Sequence, residues 1–254
     1  MPTYRDVEDV TIGELRVGVS RGLAEGLAVE LSGSLRSVTS RIEYEDLSGA
    51  PFTPPNPDLH HRDETLTRPG DMMLMLHGAR LVAPWSLSLR AGVTIPTGKA
   101  EENPFALGDI GFEHQHIQFG TGTWDPLVGF GTARNLGKGS LALYGLARFV
   151  VSQNEHGYQA GHRLSLGAEA GHPLGETWRG RLGADLYREE AERWSGQLEE
   201  EGNLGRTDLY LAAGVMRPVA GLGSVGLTAR FSLASRSSGE QVDQPVLLAL
   251  EWVR

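Results

Sequence analysis

Between Trp85 and Ile95 apolar and polar side chains alternate without a break. Leu87, Leu89, Ala91, Val93 and Ile95 fall on one side, and Ser86, Ser88, Arg90, Gly92 and Thr94 on the other. Only a pleated strand separates those two sets. Pro96 then removes a ladder donor and Gly98 admits a turn, so the strand is predicted to stop there. The same alternation recurs along the chain. It predicts strands over Thr11 to Ser20, Leu27 to Arg36, Asp71 to Leu81, Leu127 to Arg134, Ser140 to Ser152 and His162 to Ala170. Four more follow over Trp178 to Arg188, Thr207 to Met216, Ser224 to Ser235 and Val246 to Val253.

The connections between these strands alternate in length. Short turns occur at Gly22 to Gly26, Ala83-Pro84, Asn135 to Gly139, Pro173 to Thr177 and Ala220 to Gly223. Long polar loops occupy Glu43 to Pro69, the insertion 99–122, Asn154 to Gly161, Glu189 to Gly205 and Ser237 to Asp243. An up-and-down barrel in an outer membrane has this asymmetry, with short turns at one rim and long loops at the other. A soluble sandwich mixes turn lengths and uses Greek-key crossings. Eleven strands are an odd number, whereas single-chain bacterial outer-membrane barrels have an even one. The expectation is therefore a barrel of about 12 strands whose first strand precedes Met1. The alternative places an extra strand within Ala106 to Phe119.

Composition narrows the class without deciding it. No linker divides the 254 residues, so residues 1–254 read as one domain with an insertion at 99–122. A net charge of -9 argues against nonspecific nucleic-acid binding, which needs a basic surface. There are no cysteines, which excludes disulfides and thiolate metal sites. No apolar run approaches the roughly 18 residues of a spanning helix, but membrane barrels escape that test because their strands alternate. Met1 to Asp9 has neither the basic region nor the apolar core of a signal peptide.

The polar faces carry charges of both signs: Arg16, Glu30, Arg90, Arg148, Glu169, Arg181, Asp185, Arg230 and Glu251. In a soluble barrel these would face water around an apolar core. In a membrane barrel the pattern inverts, with the apolar face on lipid and the charges lining the lumen. Loop asymmetry favours the membrane, so Arg16, Glu30, Arg90, Arg148, Glu169, Arg181, Asp185 and Arg230 are predicted to line a lumen. Trp85, Trp178 and Trp252 then sit near strand ends at the short-turn rim, where an aromatic girdle is expected.

One tight cluster offers metal-type ligands, Glu113-His-Gln-His116. If extended, it projects His114 and His116 to one side, where they could take Cu(II), Ni(II) or Zn(II) with His60, His61 or His77 as a third ligand. The plainer reading has both imidazoles hydrogen-bonded, holding the insertion inside the barrel. Gly120-Thr-Gly-Thr lacks the following Lys-Ser/Thr and helix of a phosphate-binding loop. Asp58 to Asp63 reads as a solvated loop tip.

Several short segments resemble those of a bacterial outer-membrane β-barrel family of transporters assigned to the meta-pathway of phenol degradation. They are Gly18 to Glu30, Pro69-Gly-Asp-Met-Met-Leu-Met-Leu76, Gly92-Val-Thr-Ile-Pro-Thr-Gly98 and Gly120-Thr-Gly-Thr-Trp-Asp-Pro126. Their order covers roughly Thr11 to Phe149; the last third matches in strand rhythm alone. The resemblance implies an outer-membrane barrel, surrounded by lipid, that passes small solutes, aromatic or hydrophobic molecules among them. Such a channel needs no cofactor and is not an enzyme. The other readings are a plugged structural or metal-holding barrel and a soluble ligand-binding barrel. The sequence leaves the solute and the oligomeric state open.

Overall fold

The computed structural model describes residues 4–54, 63–114, 116–239 and 242–254. Its sheet begins with β1 (Tyr4–Ala24), β2 (Leu27–Asp46), β3 (Glu64–Pro69), β4 (Met72–Val82) and β5 (Trp85–Ile95). It continues through β6 (Pro126–Leu136), β7 (Gly139–Arg148), β9 (Arg163–Leu174) and β10 (Trp178–Glu189) to β12 (Asn203–Val219), β13 (Gly223–Gly239) and β14 (Val246–Val253). A two-stranded ribbon, β8 (Tyr158–Gln159) with β11 (Arg193–Trp194), and one helix, α1 (Pro104–Asp109), lie in the long loops. Leaving β3 aside, the eleven strands of the main path pair antiparallel, each with its neighbour in the chain's order. That is an up-and-down meander. Both edge strands, β1 and β14, run toward the short-turn rim.

The register sorts every strand into two faces, because directly paired residues share a side. Arg16 pairs with Ser34, His77 with Arg90, Leu127 with Arg148, and Arg148 with Arg163. On the other face Leu89 pairs with Phe130, and Leu227 with Leu250. The polar face is concave. Tyr144 Oη on β7 donates to Asp185 Oδ1 on β10 at 2.6 Å, across β9. Arg181 Nη2 on β10 reaches Glu251 Oε1 on β14 at 3.0 Å, across two strands. In a flat sheet with strands about 4.8 Å apart, that last pair would stand about 14 Å apart. Arg36 of β2 even lines the same cavity as Arg230 and Leu247 of β13 and β14, so the two ends of the path face each other across the interior.

The convex face is apolar and open. Leu89 is 70% exposed, Leu248 74% and Leu250 81%. In water so continuous an apolar belt would be an association surface, whereas hydrocarbon solvates it. Trp85, Trp178 and Trp252 stand on this face at the short-turn rim. The Arg134 and Arg217 guanidiniums lie 5.5 Å and 5.6 Å from the Trp85 and Trp178 rings, and Trp252 Nε1 donates to Leu222 O at 2.6 Å. Aromatic bodies with polar tips suit the membrane–water boundary. The soluble reading is overturned by this inversion: charge inside, hydrocarbon side chains outside.

Several boundaries differ from those predicted. β1 and β2 extend about seven to ten residues beyond Thr11 to Ser20 and Leu27 to Arg36, past the apolar belt. On β2 the alternation exchanges faces there: Val38, Ile42 and Tyr44 lie on the side of Arg36, and Thr39, Arg41, Glu43 and Glu45 on the other. An Arg5 Nη2–Glu45 Oε2 pair at 2.6 Å and stacked Tyr4 and Phe52 rings at 5.0 Å hold that end. The predicted loop Glu43 to Pro69 contains β3, which pairs with the upper part of β2 and gives way to β4 at Gly70-Asp71. β7 stops at Arg148 instead of Ser152, because Val150 turns away into a loop core. The proposed extra strand within Ala106 to Phe119 is corrected: that stretch holds most of α1 and, among its described residues, no strand.

Candidate functional site: the constricted mouth of the barrel

The long loops build a cap at one rim. Val150, Tyr158, Ala160 and Trp194 form a buried apolar cluster, with Phe105 of α1 packed against it. Tyr158 and Trp194 pair across the β8–β11 ribbon with ring centroids 4.8 Å apart, and Phe105 meets Trp194 edge-on at 6.3 Å. The insertion thus binds to two other loops through aromatic contacts. Its helix starts where Asn103 accepts from Phe105 N and Ala106 N at 3.0 and 3.3 Å, with Pro104 in the first turn. Both are strong helix-start signals, overlooked in the sequence reading.

From the cap the insertion returns into the barrel mouth, and three of the resembling motifs meet there. Asp71 Oδ1 accepts from Gly98 N at 3.0 Å, while its Oδ2 accepts from Thr121 N and Thr121 Oγ1 at 2.9 and 3.0 Å. The backbones at Gly98 and Gly120 touch so closely that a Cβ on Gly120 would lie 2.6 Å from the Gly98 carbonyl carbon. Gly120→Ala should therefore displace the insertion, seen as faster protease cleavage within residues 99–122 while the strands stay folded.

Beneath this junction Asp125 is fully buried. It accepts from Thr123 Oγ1 at 2.8 Å, shares the single Thr121 hydroxyl proton with Asp71 at an Oγ1 distance of 3.1 Å, and stands 3.1 Å from Arg148 Nε. Arg36 Nη2 donates to Gln118 O, and its guanidinium lies 5.0 Å from the Phe119 ring. Residues 118–121 are therefore strapped to the concave wall by Arg36 of β2 and by Asp71 and Asp125, the residues just before β4 and β6. The space left is a cavity of about 360 Å³, lined among others by Arg16, Arg36, Arg148, Arg163, Tyr158 and Tyr187. A second cavity of about 520 Å³ lies beside it, and Arg36 and Arg163 line both.

All eight residues predicted for the lumen lie on the concave face. Arg230 Nε pairs with Asp185 Oδ2 at 2.8 Å, Arg181 lies between Glu251 and Glu169, and Glu30 Oε2 is 3.1 Å from His77 Nε2. Arg16 pairs with Glu14 on its own strand at 2.6 Å. Arg90 lines a further cavity with Ser86, Ser88 and Tyr144. Arg36, Asp71, Asp125 and Arg163 were missed, because their importance lies in which distant loops they hold.

His114 and His116 sit in the insertion with ring centroids 5.2 Å apart. His114 is buried and donates from Nδ1 to Phe112 O at 2.8 Å; His116 meets Phe105 edge-on at 5.2 Å. Among the described residues no group of three or more His, Cys, Asp or Glu is arranged to hold a metal. Of the suggested third ligands, His77 faces Glu30, and His60 and His61 lie outside the described residues.

Glu192 gives the cap a pH dependence. Burial raises its carboxyl above the ordinary range, against the opposing bond from Trp194 Nε1 at 3.2 Å; nearby Glu189 adds to the rise. A raised folded-state value means that the cap's stability is complete below the unfolded value and is lost as pH rises through the folded one. Amide exchange in residues 190–202 should thus be slower, after correction for intrinsic rates, at pH 4 than at pH 8. Glu192→Gln should flatten that difference.

Neither a family model nor a curated protein matches the chain by sequence. Among solved structures, the chain is similar to an outer membrane channel from Pseudomonas putida F1, with a TM-score of 0.60 and 12% identity over 96% of this chain and 82% of that one. A loop-deletion variant of OmpT, an outer membrane protein of Vibrio cholerae, aligns over 92% of this chain and 95% of that one, at 8% identity and a TM-score of 0.43. The fold with its inverted faces is that of a bacterial outer-membrane β-barrel.

Proposed function

We propose that this barrel is a channel for small solutes across the outer membrane, with the eight concave-face residues lining its lumen. The observation that carries the reading is a charged, cavity-bearing interior inside an apolar shell, narrowed at one mouth by a folded-in insertion. A barrel serving only as a membrane scaffold has no need of several cavities walled by arginine, serine and tyrosine. Selectivity in such a pore comes from width and lining charge, and no cofactor or catalytic group takes part. Aromatic solutes fit the tyrosines and Phe119 around the mouth. The purified protein in planar bilayers should give discrete conductance steps, and small aromatic solutes should enter proteoliposomes that contain it. A silent bilayer together with unchanged solute uptake would instead identify a plugged barrel.

A further inference from the structure

The charges around the mouth are not evenly matched where they meet open space. The 360 Å³ cavity is lined by four arginines, Arg16, Arg36, Arg148 and Arg163, against two carboxylates, Glu14 and Asp71. Glu14 is paired with Arg16, and Asp71 already accepts three hydrogen bonds from the loop junction. The partners of Arg148 and Arg163, Asp125 and Glu189, are 0% and 9% exposed. Arg148 Nη2 is itself buried and, among the described residues, has no hydrogen-bond partner.

Arg36 is the distinctive member. Its direct contacts are with a carbonyl oxygen and an aromatic face, neither of which carries a charge; the carboxylates of Glu14 and Glu189 act on it without forming an ion pair. Arg36 and Arg163 also line both cavities, as do Ser165 and Tyr187, so these four side chains stand where the two spaces adjoin. Phe119, Tyr158 and Tyr187 line the mouth cavity beside them. An arginine fork beside aromatic rings is suited to a planar anion: the guanidinium takes the carboxylate in two parallel bonds, and the rings take the apolar body.

Resting on the channel reading, we propose that the mouth is a binding station for small organic carboxylates, with Arg36 anchoring the anion. Benzoate is the probe, and benzyl alcohol its uncharged counterpart. Calorimetric titration of the detergent-solubilised barrel should show benzoate binding at least about tenfold more tightly than benzyl alcohol. Arg36→Gln should remove about tenfold or more of that affinity. Arg36→Lys keeps the charge over Phe119 but loses the fork, so it should fall between the two; it also serves if the Gln variant disturbs the strap on Gln118. In bilayers under a KCl gradient, the reversal potential should report chloride preferred over potassium, with the preference lost in Arg36→Gln.

Equal affinity for benzoate and benzyl alcohol would overturn the proposal, as would unchanged benzoate binding in Arg36→Gln. Benzoate binding without conductance would uphold the station and remove the channel. A conducting pore that prefers potassium, or that shows no benzoate binding, would keep the channel and remove the station.

Discussion

Leu227→Arg is expected to impair insertion of the barrel into lipid by about 2–4 kcal/mol, the cost of an arginine on the lipid face near the midplane. Leu227 is 52% exposed on the convex face and pairs with Val215 and Leu250, neither of which offers a charge. It lies four residues above the start of β13 at Gly223, about 13 Å along the strand. That is too deep for the side chain to reach the rim freely. The matching change on the other face, Arg230→Leu, should spare insertion, because Asp185 keeps the Tyr144 hydroxyl at 2.6 Å and lies in a polar interior. It should alter conductance instead. Folding from urea into lipid vesicles, followed by the gel shift between folded and unfolded forms, measures both variants on one scale.

The second large effect belongs to Asp125. Asp125→Ala removes the carboxylate facing Arg148 and leaves a largely buried guanidinium without its ion-pair partner, a loss of about 3–5 kcal/mol for a buried pair. The loss falls on the mouth, since Thr121 and Thr123 also give up their acceptor. The strap at residues 118–121 would then hold to the rest of the barrel through Asp71, Arg36 and the Asn154 amide, which donates to Thr121 O at 3.1 Å. The expected result is a larger and noisier single-channel conductance, with faster proteolysis in the insertion, while the strand ladder persists in circular dichroism. Asp125→Asn should be milder, keeping the oxygen that accepts from Thr123.

How much of this was legible in the sequence depends on the range of the interaction. Alternation marks strands because neighbours i and i+2 share a face, and β5 and β14 have the boundaries expected from it. The same alternation sorts residues by face, but it cannot say which face is concave. Curvature is a property of all the strands together, and loop length alone pointed to it. Alternation failed above the apolar belt, where β13 ends in polar residues on both sides and β2 exchanges its faces, with Val38, Ile42 and Tyr44 on the side of Arg36. It was silent about the mouth as well. Asp71 looked like part of a strand-opening motif, yet it bonds to two other motifs, 27 and 50 residues away. Three of the four motifs that carried the family resemblance are adjacent in space, which gives a physical reason for their appearing together. Asn103-Pro104 was readable as a helix start from local chemistry. By contrast, Phe105 meeting Trp194 joins loops 89 residues apart, and only the curved meander brings them together.

The central claim is that the polar face of these strands looks into water inside the barrel and the apolar face into lipid. Because the chain has no cysteine, single replacements test it without background. Ser88→Cys and Leu89→Cys stand side by side on β5, on opposite faces. In sealed proteoliposomes, a small charged, lipid-insoluble maleimide should label position 88 and leave position 89 unreacted, while a lipid-soluble spin label at 89 should report collisions with oxygen. Rapid labelling at 89 with protection at 88 would contradict the account.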